Sequence, residues 1–244
     1  MAKHLRYLAA LLLAIAVIFS VYKANSLVDS YKAIGVAYAD FAAFRPQTAQ
    51  KSDASPSGGI TNSGIVSLKE KNHDVLGWIT IPHTAIDYPF VQAADNAYYL
   101  HRDLNGDYLY AGTTFMDYRN AADFSDGNTI LYGHSMKDGS MFANLRRFAD
   151  REFFEVNNRG TIFLADQTLQ VEFFAFVYAD ARADRIYSRY NSKNTRIVFL
   201  EYLRKNAANY RDIGASESDS FVTLSTCVNS SGDERMVLIG RIVR

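Results

Sequence analysis

The sequence predicts a mostly β domain with helices on its outside. Eight short runs rich in Val, Ile, Phe, Tyr and Thr are separated by turn residues, at the irregular spacing that is typical of a barrel or a sandwich. Two stretches, 140–157 and 194–207, depart from this pattern and carry apolar residues at helical spacing. Hydrophobic residues make up 48% of the 244, which is enough for one sizeable core.

The eight strand candidates all lie in the C-terminal two thirds of the chain. Each is a run of β-branched and aromatic residues that suits a pleated, half-buried surface. The candidates are 77–82, 86–92, 113–117, 128–133, 160–164, 169–178, 219–227 and 235–243.

Of the two helical stretches, 194–207 is the clearer. Ile197, Leu200 and Leu203 fall on one face of a helix there, and Asn194 is a suitable N-cap. The stretch 140–157 suits one or two short helices. Both helices are expected on the outside of the β domain.

The chain begins with an apolar segment. Residues 7–22 are uncharged and lie between Arg6 and Lys23, and the run approaches the ~17–25 residues that a membrane helix needs. A cleavable signal peptide is the alternative, but no clean small-residue cleavage site follows. We therefore expect residues 1–25 to form an uncleaved membrane anchor with a cytoplasmic N-terminus.

Residues 26–64 are predicted to connect this anchor to the folded domain. Apolar residues recur at helical spacing over 26–44, and the following stretch to residue 64 is rich in Ser, Gly, Asn and Pro. The sequence thus predicts a helical stalk and a flexible linker, and then a folded domain over 65–244.

Composition excludes several classes of function. The 26 basic and 26 acidic residues balance, which argues against nucleic acid as a partner. A single cysteine excludes an intramolecular disulfide and a cysteine-based zinc cage. The five histidines have no metal-ligand spacing, and no HExxH motif or Gly-rich phosphate loop occurs. We expect neither a metal nor a cofactor.

The lone cysteine, Cys227, ends one strand candidate, and Arg235 opens the next. A thiol at a strand end beside a fixed cation suits a nucleophile, and the guanidinium could stabilise a thiolate or an oxyanion. The alternatives are a small buried core residue for Cys227, since free cysteine is often buried, and a strand-edge salt bridge from Arg235 to Asp233 or Glu234.

A cysteine nucleophile needs a partner, because at a pKa near ~8.5 little thiolate is present at neutral pH. His134 follows a strand candidate that ends at Gly133 and opens a polar loop, so its imidazole is expected at a rim where catalytic groups tend to lie. A structural role for His134 remains the alternative. The other four histidines read as surface or flanking residues: His4, His73, His83 and His101.

No acidic residue can be named from the sequence as the group that orients His134. Three aspartates lie nearby along the chain, namely Asp117, Asp126 and Asp138. Asp138 has the character of a turn residue.

Several segments resemble the sortases, the cysteine transpeptidases of Gram-positive bacteria. TLSTC at 223–227 is similar to their TLxTC signature, and Arg235 and the segment LYGH at 131–134 fall where the family keeps its arginine and histidine. Further segments resemble class B sortases specifically: VLGWITIP at 75–82, IDYP at 86–89, DNAYYL at 95–100, MDYRN at 116–120 and GHSMKDGSMF at 133–142.

The resemblance implies a fold and a location. The fold would be an eight-stranded β-barrel with peripheral helices. It would be tethered by the N-terminal anchor on the extracellular face of the plasma membrane of a Gram-positive bacterium.

The resemblance also implies a reaction. Cys227 would attack the Thr carbonyl of an NPxTx-like sorting motif on a surface protein or pilin, and an amine of peptidoglycan, of a cell-wall precursor or of a pilin would resolve the thioester. His134 would act as general acid and then base, and Arg235 would hold the substrate and stabilise the oxyanion. Four further residues would line the substrate groove: Asn96, Leu100, Tyr132 and Ser225.

Two other functions remain open on the sequence. One is a membrane-tethered peptide-binding module whose catalytic site has decayed. The presence of intact His134, Cys227 and Arg235 argues against it. The other is a cysteine peptidase that uses water as acceptor, because the same acyl-enzyme serves both reactions.

Overall fold

The computed structural model describes residues 2–46, 61–228 and 232–243. The chain divides into two compact units, Met1–Asp40 and Phe41–Arg244. Most of the predicted flexible linker, residues 47–60, lies outside the described residues.

The N-terminal part of the chain is one long helix, α1 (Ala2–Ala42). It includes the helix predicted over 26–44 and the segment predicted as an anchor. Within the described ranges, no helix combines the length and the apolar character that a membrane span requires. The prediction of a membrane-spanning anchor at residues 1–25 is therefore not supported.

Among its described residues, the second unit contains nine strands. They are β1 (Val75–Thr80), β2 (Asp87–Val91), β3 (Thr114–Met116), β4 (Asn128–Tyr132), β5 (Arg159–Leu164), β6 (Thr168–Asp180), β7 (Asn209–Tyr210), β8 (Phe221–Cys227) and β9 (Glu234–Val243). Each of the eight predicted strand candidates coincides with one of these, apart from shifts of one or two residues at its ends.

The strands form a closed barrel. Their order is β5-β1-β2-β3-β4-β8-β9-β6-β7, and β5 also pairs with β6, so eight strands complete the ring. The ninth, β7, is a two-residue strand that pairs only with β6 among the described strands. The predicted eight-stranded barrel with peripheral helices is confirmed.

Helices and 3-10 turns surround the barrel. They are α2 (Ser63–Lys71), the 3-10 turn Tyr98–His101, the 3-10 helix Phe142–Ala149, α3 (Arg151–Val156), α4 (Asp184–Tyr187) and α5 (Lys193–Asn206). The helix predicted over 194–207 is α5, but its N-cap is Ser192, whose hydroxyl accepts the backbone N–H of Thr195 at 3.3 Å. Asn194 lies within the first turn, so its prediction as the cap was wrong.

Strand β8 is buried on both faces. Val222 and Leu224 point into the barrel core, and Phe221 packs in a second cluster that includes Phe199 and Leu203 of α5. Side chains alternate across a strand, so one residue of slippage would exchange the two clusters. Burial of each such side chain stabilises the fold by about 1.5–3 kcal/mol, and the register that holds Cys227 at the strand end is correspondingly firm.

Candidate active site

Three adjoining strands place the predicted catalytic residues together. β4 and β8 pair in parallel with Tyr132 opposite Ser225, so His134 and Cys227, each two residues further along, emerge at the same end of the barrel. β9 pairs with β8 in antiparallel fashion and sets Arg235 opposite Cys227. The backbone pairing itself therefore assembles the three residues.

The backbone around His134 is held firmly. The N–H of Gly133 donates to the carbonyl of Ser225 at 3.2 Å, and the N–H of Phe142 donates to the carbonyl of His134 at 2.9 Å. A Cβ atom at position 133 would lie 2.8 Å from the Phe142 ring, closer than real contacts allow. A side chain at position 133 would therefore require the Phe142 ring or the backbone before the histidine to move.

A cleft of about 260 Å³ opens at this end of the barrel. All seven residues predicted for the site line it: Asn96, Leu100, Tyr132, His134, Ser225, Cys227 and Arg235. Five further residues that sequence analysis did not single out complete the lining: Phe115, Gly133, Ala181, Tyr187 and Thr226. No group of three side chains suited to a metal ion occurs among the described residues.

Cys227 is a free thiol and is only half-buried. It lines the cleft beside His134 and Arg235. The alternative interpretation of this cysteine as a core residue therefore does not hold.

The imidazole of His134 is oriented by a backbone carbonyl. Its Nε2 lies 2.8 Å from the carbonyl oxygen of Leu100. Because a carbonyl can only accept, Nε2 carries a hydrogen, and Nδ1 is the nitrogen that can take up or release a proton.

Burial lowers the pKa of His134, the hydrogen bond to Leu100 opposes this shift, and the nearby His101 lowers the pKa further. The net pKa lies below its ordinary value, so the neutral imidazole predominates at pH 7.

None of the three aspartates near His134 along the chain bonds to its ring in the described structure. Asp126 accepts from Asn120 at 2.7 Å, and Asp138 accepts from Ser140 at 2.7 Å. Asp117 lies under the cleft instead. The group that orients the His134 ring is thus the backbone carbonyl of Leu100 and not an acidic side chain.

The buried carboxylate of Asp117 forms hydrogen bonds with several side chains at the floor of the cleft. It accepts hydrogen bonds from the Tyr132 hydroxyl at 3.0 Å, from the Asn96 amide at 3.2 Å and from the Arg119 guanidinium at 2.8 and 2.9 Å. Burial alone would raise the pKa of Asp117, but the bonds from Arg119 and Tyr132 outweigh it and hold the pKa below its ordinary value. Two groove residues are thereby fixed by one anion.

Arg235 is held by main-chain oxygens. Its Nη1 donates to the carbonyls of Gly232 at 2.7 Å and Glu234 at 3.1 Å, and its Nε and Nη2 have no hydrogen-bond partner among the described residues. Asp233 pairs with Arg182 at 2.6 Å instead. The alternative of a salt bridge from Arg235 to Asp233 or Glu234 is thus not observed among the described residues.

Tyr187 is one of the five lining residues that sequence analysis missed. It ends the four-residue helix α4, its hydroxyl lies 2.9 Å from the Ser225 hydroxyl, and its ring stacks on Tyr132 with centroids 6.1 Å apart. Burial raises the pKa of Tyr187, so the hydroxyl stays protonated. A helix this short has no periodicity, so no sequence signal marks the residue.

Comparison with known proteins agrees with this architecture. The family model for the sortase domain matches residues 79–243. Sortase B of Listeria monocytogenes is 36% identical over 187 residues, which cover 76% of each chain.

Solved structures show the same fold. Sortase B from Bacillus anthracis, in complex with AAEK1, has a TM-score of 0.75 at 32% identity over 89% of this chain and 99% of that one. The Staphylococcus aureus sortase B–substrate complex has a TM-score of 0.71 at 26% identity, over 75% of this chain and 86% of that one. The chain therefore belongs to the sortase family as a class B member, and it is a cysteine transpeptidase.

Proposed function

We propose that this transpeptidase cleaves an NPxTx-like C-terminal sorting motif after its Thr and transfers the protein to an amine. The observation that carries the proposal is the convergence of Cys227, His134 and Arg235 on the ends of three adjoining strands. A nucleophile, a proton carrier and a fixed cation in one cleft are the parts that acyl transfer requires.

The first half-reaction forms an acyl-enzyme. The Cys227 thiol gives its proton to Nδ1 of His134, and the thiolate attacks the Thr carbonyl of the motif. Arg235 stabilises the oxyanion of the tetrahedral intermediate through its N–H donors on Nε and Nη2. The intermediate collapses, the C–N bond breaks, and the His134 imidazolium protonates the departing amine. The product is a thioester on Cys227.

The second half-reaction resolves the thioester. An incoming amine attacks the thioester carbonyl, and the neutral Nδ1 of His134 accepts its proton. The C–S bond then breaks, an amide forms, and the proton returns to the Cys227 sulfur. The lowered pKa of His134 favours this step, because it keeps the base unprotonated at neutral pH.

The lining of the cleft supports a peptide substrate. Leu100 offers an apolar contact, whereas Asn96, Tyr132 and Ser225 offer hydrogen-bonding groups fixed from behind by Asp117 and Tyr187. A mainly apolar cleft with a few fixed polar groups suits an extended peptide. The related Staphylococcus aureus sortase B has been solved as a substrate complex, which supports the same use of this cleft.

The partners and the location belong to the same proposal. The donor is a surface protein or pilin with a sorting signal, and the acceptor is an amine of peptidoglycan, of a cell-wall precursor or of a pilin. Such acceptors lie outside the plasma membrane of a Gram-positive bacterium, so we place the catalytic unit there. The predicted membrane anchor is not part of the proposal, since no described helix meets the requirement for a span.

Intact-protein mass spectrometry tests the proposal. The purified protein is mixed with an NPxTx-type peptide and separately with an LPxTG-type peptide, and the mass of an acyl adduct on Cys227 is sought. We expect an adduct with the NPxTx peptide. An adduct with the LPxTG peptide alone would support the proposed chemistry and refute the proposed NPxTx-like motif. The absence of an adduct with either peptide would favour a peptide-binding module.

The acceptor is tested in the same reaction. An added amine should convert the adduct into an amide product. Release of the free acid at an unchanged rate, with or without the amine, would identify the protein as a peptidase that uses water.

A further inference from the structure

A second imidazole covers the face of His134. The ring of His101 stacks on the ring of His134 with centroids 5.3 Å apart and planes inclined by 22°. Sequence analysis assigned His101 to the surface, and the residue is indeed exposed. It nevertheless contacts the group that must carry protons in the proposed reaction.

His101 is itself held in a fixed orientation. Its Nδ1 lies 3.0 Å from the carbonyl oxygen of Tyr110, so Nδ1 carries a hydrogen and Nε2 is the site that takes up a proton. The His101 ring also stacks on the Tyr110 ring, with centroids 6.1 Å apart and planes inclined by 20°. The centroid of the Tyr108 ring lies 6.2 Å from that of His101. Tyr110, His101 and His134 thus form a continuous stack at the rim of the cleft.

One short turn supplies both supports of His134. The 3-10 turn Tyr98–His101 provides the Leu100 carbonyl, which bonds Nε2, and the His101 ring, which covers the imidazole face. The hydrogen bond restricts rotation in the ring plane, and the stacked ring restricts tilting out of it. Together they leave Nδ1 of His134 in one place.

The surroundings of His101 contain no compensating anion among the described contacts. The titratable groups that face it are Tyr108 and Tyr110 from its own loop and His134 from the loop after β4. The neighbouring Arg102 has its guanidinium over the Tyr98 ring, 4.6 Å from the centroid. A proton on His101 therefore places a positive charge against His134 with no carboxylate in contact to offset it.

We propose that His101 is a positioning residue of the transfer reaction: it holds the His134 ring in its working orientation, and its own charge opposes protonation of that ring. The proposal rests on the proposed role of His134 as proton carrier. Its consequence is that His101 adds to the effect of burial, which lowers the pKa of His134, and so helps to keep His134 available as a base.

Two substitutions separate the parts of this role. His101→Phe keeps an aromatic ring for the stack and removes the charge, whereas His101→Ala removes both. We expect the acidic limb of the kcat/KM–pH profile to move to higher pH in both variants, because His134 gains a proton more readily. At the pH optimum we expect His101→Phe to stay within about threefold of the parent and His101→Ala to lose about tenfold in kcat, as misplacement of a proton carrier costs rate.

The matched control is His73→Gln, which removes an exposed histidine from a turn outside the cleft. It should leave the pH profile unchanged. Thermal unfolding of each variant checks that the fold is retained, and His101→Gln serves as a second uncharged variant if His101→Phe is unstable.

NMR titration of the histidine rings gives a readout that needs no turnover. We expect the acid dissociation constant of His134 to fall at least about threefold in His101→Phe, as removal of a like charge at this distance predicts. An unchanged His134 titration and an unchanged pH profile would overturn the proposal. If the parent protein forms no acyl-enzyme, the proposed function fails, while the titration still decides whether His101 acts on His134.

Discussion

Cys227 lies directly opposite Arg235 in the antiparallel pairing of β8 with β9. Residues in such opposition have Cβ atoms about 4.5–5.5 Å apart, on the same side of the sheet. The separation of the Cys227 thiol from the Arg235 guanidinium is therefore set by the hydrogen bonds between the two strands. It does not depend on the conformation of a flexible loop.

Replacement of the nucleophile should abolish the chemistry and spare the fold. In Cys227→Ala we expect no acyl adduct with a sorting peptide and an unchanged thermal midpoint, because a half-buried thiol contributes little packing. Intact-protein mass spectrometry and thermal unfolding measure the two. Residual peptide cleavage by this variant would show that another group is the nucleophile.

Arg235→Lys should impair the enzyme severely even though the charge is kept. A lysine ammonium cannot bond two carbonyls through one nitrogen and still present the planar donors that an oxyanion needs. We expect kcat/KM to fall by about 10²-fold, the usual cost of a lost oxyanion donor. Steady-state kinetics measure it, with Arg182→Lys as a control on the exposed ion pair to Asp233. Near-normal turnover by Arg235→Lys would reduce Arg235 to a structural residue.

Asp117→Asn should destabilise the protein and weaken peptide binding. The change removes charge-assisted hydrogen bonds to Tyr132 and Asn96, and each such bond contributes about 1.5–3 kcal/mol. Because the Arg119 side chain is 45% exposed, solvent screens its ion pair with the buried carboxylate and reduces what the pair contributes. We expect the free energy of unfolding to fall by about 2 kcal/mol, measured by urea denaturation, and KM for the peptide to rise.

The same variant should respond differently to acid. The pKa of Asp117 is lowered in the fold, so its contribution is present above the unfolded value of about 3.9 and is lost as the pH falls through the folded pKa. The parent should therefore lose more stability below about pH 4 than Asp117→Asn does. Asp166→Asn, at an exposed turn, is the control and should follow the parent. Parallel curves for parent and Asp117→Asn would contradict the lowered pKa.

Gly133→Ala should damage the site through a steric contact. The new methyl would lie 2.8 Å from the fully buried Phe142 ring, so the ring or the His134 backbone must move. Overpacking of this kind costs about 1–3 kcal/mol, and we expect a loss of activity with it. Combination with Phe142→Leu should restore part of the activity by making room. Full activity in Gly133→Ala alone would show that the loop after β4 tolerates displacement.

Much of the fold could be predicted from the sequence, because the strands are runs of β-branched and aromatic residues that end at turns. The smaller elements could not. β7 has two residues, too few for any pattern, and α2 begins in a stretch whose polar composition resembles a linker. The N-cap of α5 was placed at Asn194 rather than Ser192 because both residue types are good caps.

Some residues of the candidate site could likewise be predicted from the sequence, and others could not. Cys227, His134 and Arg235 could be found because each lies at or directly beside the end of a strand candidate, yet only the parallel pairing of β4 with β8 brings the first two together. Tyr187 and His101 lie on short turns, and their positions depend on contacts with distant strands. The residues next to them in sequence do not reveal such contacts.

The parallel pairing of β4 with β8 also determines when the enzyme becomes reactive during synthesis. β4 leaves the ribosome long before β8 and β9, which come later in the chain. Contacts between segments so far apart in sequence form late in folding, because a long loop must close first. A nascent chain that has emerged only as far as His134 therefore lacks Cys227 and cannot become acylated.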